Sequence, residues 1–226
     1  MVSYTGDVSV GGSADTRELA GLTITKVAVD EQMSNNCYLL RCTATGEQVL
    51  IDAAADSETL LTLIGEAGLT TVITTHQHWD HHRALATVVE ATGARVVAGT
   101  PDAAAITTQT GVSVTRPVDH DDTIAVGAAT LEVLAIAGHT PGSIALLYTD
   151  PAPDGHAHLF TGDSLFPGGV GSTFGDATAF AQLVDEVEAK IFGRLDDDTW
   201  VYPGHGDDTV LGSERPHLEE WRQRGW

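Results

Sequence analysis

Between Thr75 and His82 the chain reads THQHWDHH, which sets His76, His78, Asp80 and His81 directly behind the apolar run TTVIT. Imidazole nitrogen and carboxylate oxygen are good ligands for Zn(II), and also for Fe(II) or Mn(II). Four such groups massed without a cation would suffer desolvation and mutual repulsion. In an extended segment alternate residues share a face, so His76 and His78 project together, and a turn into the next helix swings Asp80 and His81 toward the same pocket. The spacing therefore offers two pairs of ligands, one for each of two neighbouring ions. The competing reading is a solvated polar loop.

Three later segments have the same flavour: AGHTPGS around His139, FTGDSLF around Asp163 and YPGHGDD around His205, each behind a predicted strand. A lone His or Asp at a strand end is usually a turn residue, but joined to the first motif these complete a set of seven ligands. That set suffices for two ions with Asp163 placed to bridge. Glycine precedes each of the three (Gly138, Gly162, Gly204), which predicts a sharp backbone turn presenting the next side chain to a common edge. Two ions roughly 3.5 to 4 Å apart would share a hydroxide and bring the pKa of its parent water toward ~7, so a nucleophile exists without serine or cysteine. A GxSxG elbow, a GxxxxGK[ST] phosphate loop and a dinucleotide fingerprint are missing from the sequence.

The elements that must position these groups follow from periodicity. Strands are predicted at 22–29, 37–42, 48–53, 70–75 and 95–99, with helices at 57–67, 81–92 and 102–109. Strands follow at 123–126, 130–137, 143–149 and 157–162, then a helix at 177–193, a strand at 199–203 and a helix at 214–224. Because residues 123–162 hold strands with no helix between them, two sheets with helices on their outer faces fit better than alternating βαβ units. The 226 residues are read as one domain, residues 1–226. Glycine- and proline-rich loops fall at 150–156 and 167–175, and the second, PGGVGSTFG, is either a substrate-lining loop or a flexible connector.

Eleven basic residues against 32 acidic ones give a formal net charge of -21, which repels phosphate backbones and anionic lipid surfaces, so nucleic acid and membrane are excluded as partners. MVSYTGDVSV lacks an export signal, and no window approaches the ~20 apolar residues that span a bilayer, so a cytoplasmic protein is expected. Cys37 and Cys42 lie an odd number of steps apart on one strand and should face opposite ways, as buried thiols without a disulfide. His82 is expected to open its helix facing away from the ligands. Residues 119–122 (DHDD), His156 and His158 are read as turn and hairpin residues, and Asp196 to Asp198 as a solvated loop.

Taken in order, His-x-His-x-Asp-His and then His, Asp and His resembles the metallo-β-lactamase fold hydrolases, over about residues 22 to 210. The resemblance implies an α+β fold, a four-layer αββα sandwich of two mixed β-sheets flanked by helices. It implies one ion on His76, His78 and His139, another on Asp80, His81 and His205, and Asp163 between them, with Asp80 as the catalytic residue that orients the attacking hydroxide. THxHxDH, GHTPGS, GDSLF and PGHG look most like the hydroxyacylglutathione hydrolase (glyoxalase II) branch, which implies a metal-dependent hydrolase with two divalent ions, zinc first and iron or manganese next. Its substrate would be a small-molecule acyl thioester or ester. Glyoxalase II enzymes carry a further helical C-terminal domain that holds glutathione, whereas this sequence stops about twenty residues beyond His205, so another low-molecular-weight thiol or a different acyl substrate is expected to fit equally well. Persulfide dioxygenases of the same fold, with a single iron, are the alternative, and the complete second ligand set leans against them. Lactonase or β-lactamase activity would use a similar centre.

Overall fold

The computed structural model describes residues 4–225. The first sheet has seven strands in chain order: β1 (Asp15–Glu18), β2 (Leu22–Ala28), β3 (Asn36–Cys42), β4 (Gln48–Ile51), β5 (Thr71–Thr74), β6 (Arg95–Gly99) and β7 (Arg116–Val118). β1 to β4 pair antiparallel, and β4 to β7 pair parallel. The helices α1 (Ser57–Ile64), α2 (Leu85–Thr92) and α3 (Ala103–Thr110) make the crossovers that parallel pairing demands.

The second half begins with β8 (Thr123–Val126), β9 (Ala129–Ala135), β10 (Ile144–Thr149) and β11 (Ala157–Gly162), joined as an antiparallel meander. A short hairpin, β12 (Leu165–Phe166) and β13 (Gly169–Val170), precedes α4 (Ala177–Val187). β14 (Trp200–Pro203) then returns parallel to β11, and β15 (Thr209–Val210) closes the sheet edge, so both sheets are mixed. Two short helices, α5 (Leu211–Glu214) and α6 (Leu218–Arg224), finish the described chain.

Alternation along the strands builds three apolar layers. Tyr38, Leu40 and Cys42 join Val49, Ile51, Val133, Leu146 and Phe160 between the sheets. Cys37, Leu39 and Leu50 point the other way, onto Leu60, Ile64, Leu85, Val88 and Ile106 of the outer helices. Leu134, Leu147 and Val201 face Leu183, Val187, Ile191 and Trp221 on the far side. The order is therefore helix, sheet, sheet, helix, as expected. Cys37 and Cys42 belong to different layers and are free thiols.

Several expected boundaries move for identifiable reasons. The helix expected from residue 81 starts at Leu85, because Trp79–His81 form a tight turn and His82 leaves helical angles with φ -146. The helix expected at 214–224 starts at Leu211 and narrows through Arg215–His217, where Pro216 removes an amide donor. The helix expected at 177–193 leaves the α pattern after Val187, where Gly193 N–H reaches Glu188 O across a wider turn. β1, β7, β12, β13 and β15 were not expected: DTRE is a polar edge, RPV holds a proline, and the other three have two residues each, too short for periodicity.

Parallel pairing sends the C-terminal ends of β4 and β5 to one edge, and the β11–β14 pair does the same in the second sheet. Backbone bonds clip these ends together: Ile144 N to Thr75 O at 2.9 Å, Gly204 N to Gly162 O at 2.8 Å and Asn36 N to Gly204 O at 2.8 Å. The loop behind His205 is held from below by Lys26, whose fully buried ammonium meets Asp208 Oδ1 at 2.7 Å and the carbonyls of Gly6 and Gly206 at 2.9 Å each. All three ammonium donors are thereby used, which is what a buried cation requires.

Candidate metal centre

All seven side chains singled out in the sequence converge at this shared edge. His76 Nε2 lies 3.3 Å from His139 Nε2, and His78 Nδ1 lies 2.9 Å from the same atom. A second group stands beside it: His81 Nε2 is 3.1 Å from His205 Nε2, and Asp80 Oδ2 is 3.4 Å from each. The trios His76–His78–His139 and Asp80–His81–His205 each place their ligand atoms within 4.8 Å of one another. Asp163 lies between the two groups, with Oδ2 at 3.6 Å from His139 Nε2 and 3.4 Å from His205 Nε2, and Oδ1 at 3.4 Å from His81 Nε2.

The outward ring nitrogens decide what the inward ones can do. His139 Nδ1 donates to Ser172 O at 2.7 Å and His205 Nδ1 donates to Met33 O at 2.8 Å; a carbonyl only accepts, so the protons are on Nδ1. His81 Nδ1 donates to Asp52 Oδ2 at 2.8 Å. The Thr75 hydroxyl gives its proton to Asp52 and so can only accept from His76 Nδ1, 3.1 Å away. Four Nε2 lone pairs are left turned inward against one another, with His78 Nδ1 beside them. Asp163 Oδ1 is buried there without a hydrogen bond. Lone pairs facing lone pairs, next to an orphaned carboxylate oxygen, are a donor set that fits divalent cations, with outward bonds that fix each tautomer.

The electrostatics agree. Burial, reinforced by the charge of His81, holds His76 well below the ordinary histidine range, and burial with neighbouring histidines lowers His78 and His139. Burial also opposes charge on His81 and His205, but carboxylates outweigh it: Asp163 and Asp52 push His81 well up, and Asp163 and Asp80 push His205 to about 9. Burial would raise Asp163 and Asp80, yet His81 and His205 hold both carboxyls below their usual range.

The glycine reading is correct in outcome and partly corrected in cause. Gly138 and Gly162 adopt φ +135 and φ +49, the turn conformation expected. Gly204 does not. It is glycine because a Cβ there would run into Asp163 Oδ1 and come within 2.7 Å of His81 Cε1.

Asp52 escaped notice in the sequence. It is 2% exposed, has φ +57, and accepts from Thr75 N, the Thr75 hydroxyl and His81. Its signal was a carboxylate directly behind the apolar run Val49–Ile51. Asp102, also fully buried, accepts from Gln77 N, Thr140 Oγ1 and Gly142 N and so shapes the turns that carry His78 and His139. Asn35 donates to Asp80 Oδ2 at 3.1 Å.

His82 is buried with Nε2 against Gln77 O, outside both ligand groups. His156 pairs with Asp198 near the surface, as a turn residue would. His158 is corrected: it lies within β11, buried 2.9 Å from the Tyr202 hydroxyl, and burial pushes it down to about 4. The loop at 167–175 is anchored to the site through Ser172 O. No helix of the described residues is long and apolar enough to cross a membrane.

This geometry can be set beside known proteins. A hydroxyacylglutathione hydrolase from Polaromonas sp. is 37% identical over 173 residues, which are 74% of this chain and 60% of that protein. The chain spans about half to three fifths of the length of the curated relatives it matches. Among solved structures, ETHE1 from Myxococcus xanthus is 32% identical with a TM-score of 0.73, over 88% of this chain and 84% of that one. A protein solved in a di-iron-bound form is 31% identical with a TM-score of 0.63, over 84% of this chain and 96% of that one. The family model of the metallo-beta-lactamase superfamily matches residues 31–205, a span that holds every ligand named above. With its two mixed sheets, its flanking helices and seven His and Asp side chains gathered at one sheet edge, the chain belongs to that superfamily.

Proposed function

We propose that the chain is a metal-dependent hydrolase that cleaves an acyl thioester, or a related ester, at a centre holding two divalent ions. The observation that carries this reading is Asp163, whose two oxygens reach toward His139 on one side and toward His81 and His205 on the other. His76, His78 and His139 would hold one ion, Asp80, His81 and His205 the other, and Asp163 both. Bound there, such ions supply a hydroxide nucleophile at neutral pH and polarise the acyl carbonyl. Nitrogen and oxygen ligands suit zinc best, and the di-iron-bound neighbour makes iron the next candidate.

The chain's own part is positioning. Asp80, tied through Oδ2 to Asn35, stays ionised and orients the attacking water. Asp52 and Thr75 keep His81 and His76 in the tautomers that face the ions. A thiolate leaves without being protonated, so a thioester asks least of the remaining residues. The relatives called hydroxyacylglutathione hydrolases support the same substrate class.

A second reading, a single-iron persulfide dioxygenase, draws on the likeness to ETHE1 from Myxococcus xanthus. The complete Asp80–His81–His205 group argues for two ions instead. Metal analysis beside an oxygen electrode with glutathione persulfide separates them. We expect two ions per chain, thioester hydrolysis and no oxygen uptake, while one iron with oxygen uptake would overturn the proposal. Asp163→Ala should abolish turnover and lower metal content, and activity surviving that change would remove Asp163 from its bridging role. Lactones and a β-lactam assayed on the same preparation would define the acyl range.

A further inference from the structure

Among the described residues three large apolar side chains are well exposed, Met33, Trp79 and Phe174, and each belongs to a residue that adjoins or touches a candidate ligand. Trp79 lies between His78 and Asp80 in the sequence. The Met33 carbonyl accepts from His205. The Phe174 ring centre is 5.6 Å from that of His78 and 6.2 Å from that of His139. Half-buried Phe166 adds a fourth apolar group, 6.3 Å from His205.

These side chains are braced in exposed positions. Phe174 is 77% exposed and has φ +55, a left-handed conformation unfavourable for a bulky residue. Its turn is fixed by Phe174 N–H to Ser172 Oγ at 3.1 Å, while Ser172 O receives the proton of His139 Nδ1. The ring is thereby carried over the His78–His139 pair. Under Trp79 the Arg83 guanidinium stacks at 4.5 Å, and Arg83 pairs at 2.8 Å with Asp30, which also accepts from Met33 N at 2.7 Å. One aspartate thus steadies two sides of the rim. Strain and exposed apolar surface, at residues adjoining the candidate ligands, are what a surface covered by a ligand would show.

We infer that Phe174, Trp79 and Met33 form an apolar collar that binds an alkyl chain or aromatic ring of the substrate next to the scissile bond. The substrate class is then a hydrophobic acyl compound rather than a small polar one. This rests on the hydrolase reading for the bond that is cut, but the collar can be tested by binding alone.

Straight-chain carboxylates from acetate to octanoate are titrated calorimetrically into the metal-loaded protein, and the matching thioesters of N-acetylcysteamine are assayed for turnover. Affinity and kcat/KM should rise by about two- to four-fold per methylene as each leaves water. Phe174→Asn should remove most of that slope, and Phe174→Leu should restore it. Asparagine tolerates the left-handed conformation, so the melting temperature of Phe174→Asn should be unchanged or higher. Affinity independent of chain length, or a slope that survives Phe174→Asn combined with Trp79→Gln, would overturn the collar. If carboxylates show the slope but no thioester is cleaved, the collar stands and the hydrolase reading fails. If short thioesters are cleaved and no slope appears, the reverse holds.

Discussion

Asp52 serves two histidines at once, since its carboxylate takes the proton of His81 Nδ1 directly and that of the Thr75 hydroxyl, which in turn receives His76. Asp52→Asn keeps the shape but removes the charge and turns one oxygen into a donor, so either both of these bonds to Oδ2 or the Thr75 N–H bond to Oδ1 must break. Changes at such outer partners typically cost 10- to 100-fold in metal affinity or activity. We expect a loss in that range for metal affinity, read by competition with a chromophoric chelator, and a parallel loss in turnover. Unchanged affinity would show that His81 and His76 hold their tautomers without Asp52. At this scale the convergence of the seven candidate ligands was legible because His and Asp repeat behind strands in a tell-tale order. Asp52, Asp102 and Asn35 were not, because their importance comes from partners remote in sequence, 23 residues away for Asp52 and Thr75 and 45 for Asn35 and Asp80.

Turns between elements set how close the candidate ligands can come, and Gly204 packs directly against two of them. A methyl group there must displace Asp163 or His81. Gly204→Ala should cost about 1–3 kcal/mol in denaturant unfolding, as overpacking does, and should lower bound metal by at least one ion per chain. Gly206 has φ +68 with open space around it, so Gly206→Ala strains the backbone without touching a ligand and should leave metal content intact. Equal metal loss in both variants would mean that loop conformation, not crowding of Asp163, controls the site. The long elements were readable in the sequence: β2, β3, β6 and β8 fall within a residue or so of their expected limits, because apolar alternation over several residues leaves little choice. The four-layer order followed from the uninterrupted strands at 123–162 together with the family resemblance. What escaped was short or polar, such as β1 with DTRE and the two-residue β12 and β13, whose pairing depends on the neighbouring strand rather than on their own side chains.

The candidate ligands are divided between the two halves of the sandwich: His76, His78, Asp80 and His81 follow β5 of the first sheet, while His139, Asp163 and His205 follow strands of the second. Ions held by both would act as cross-links between sheets, in a protein whose net charge of -21 already disfavours compactness. Each ion at a hundredfold excess over its Kd adds about 2.7 kcal/mol, which for a chain of this length raises the melting temperature by roughly 5–10 °C. Chelation should therefore lower the melting temperature by at least about that much. The three apolar layers are complete without the ions, so far-UV circular dichroism at 25 °C should not change. Asp163→Ala should melt near the chelated wild type and respond weakly to chelator, because it lacks the group that joins the two sites. A wild-type transition indifferent to chelation, in protein shown to carry metal beforehand and to lose it to the chelator, would mean that the ions do not favour the folded state and that no such cross-link exists.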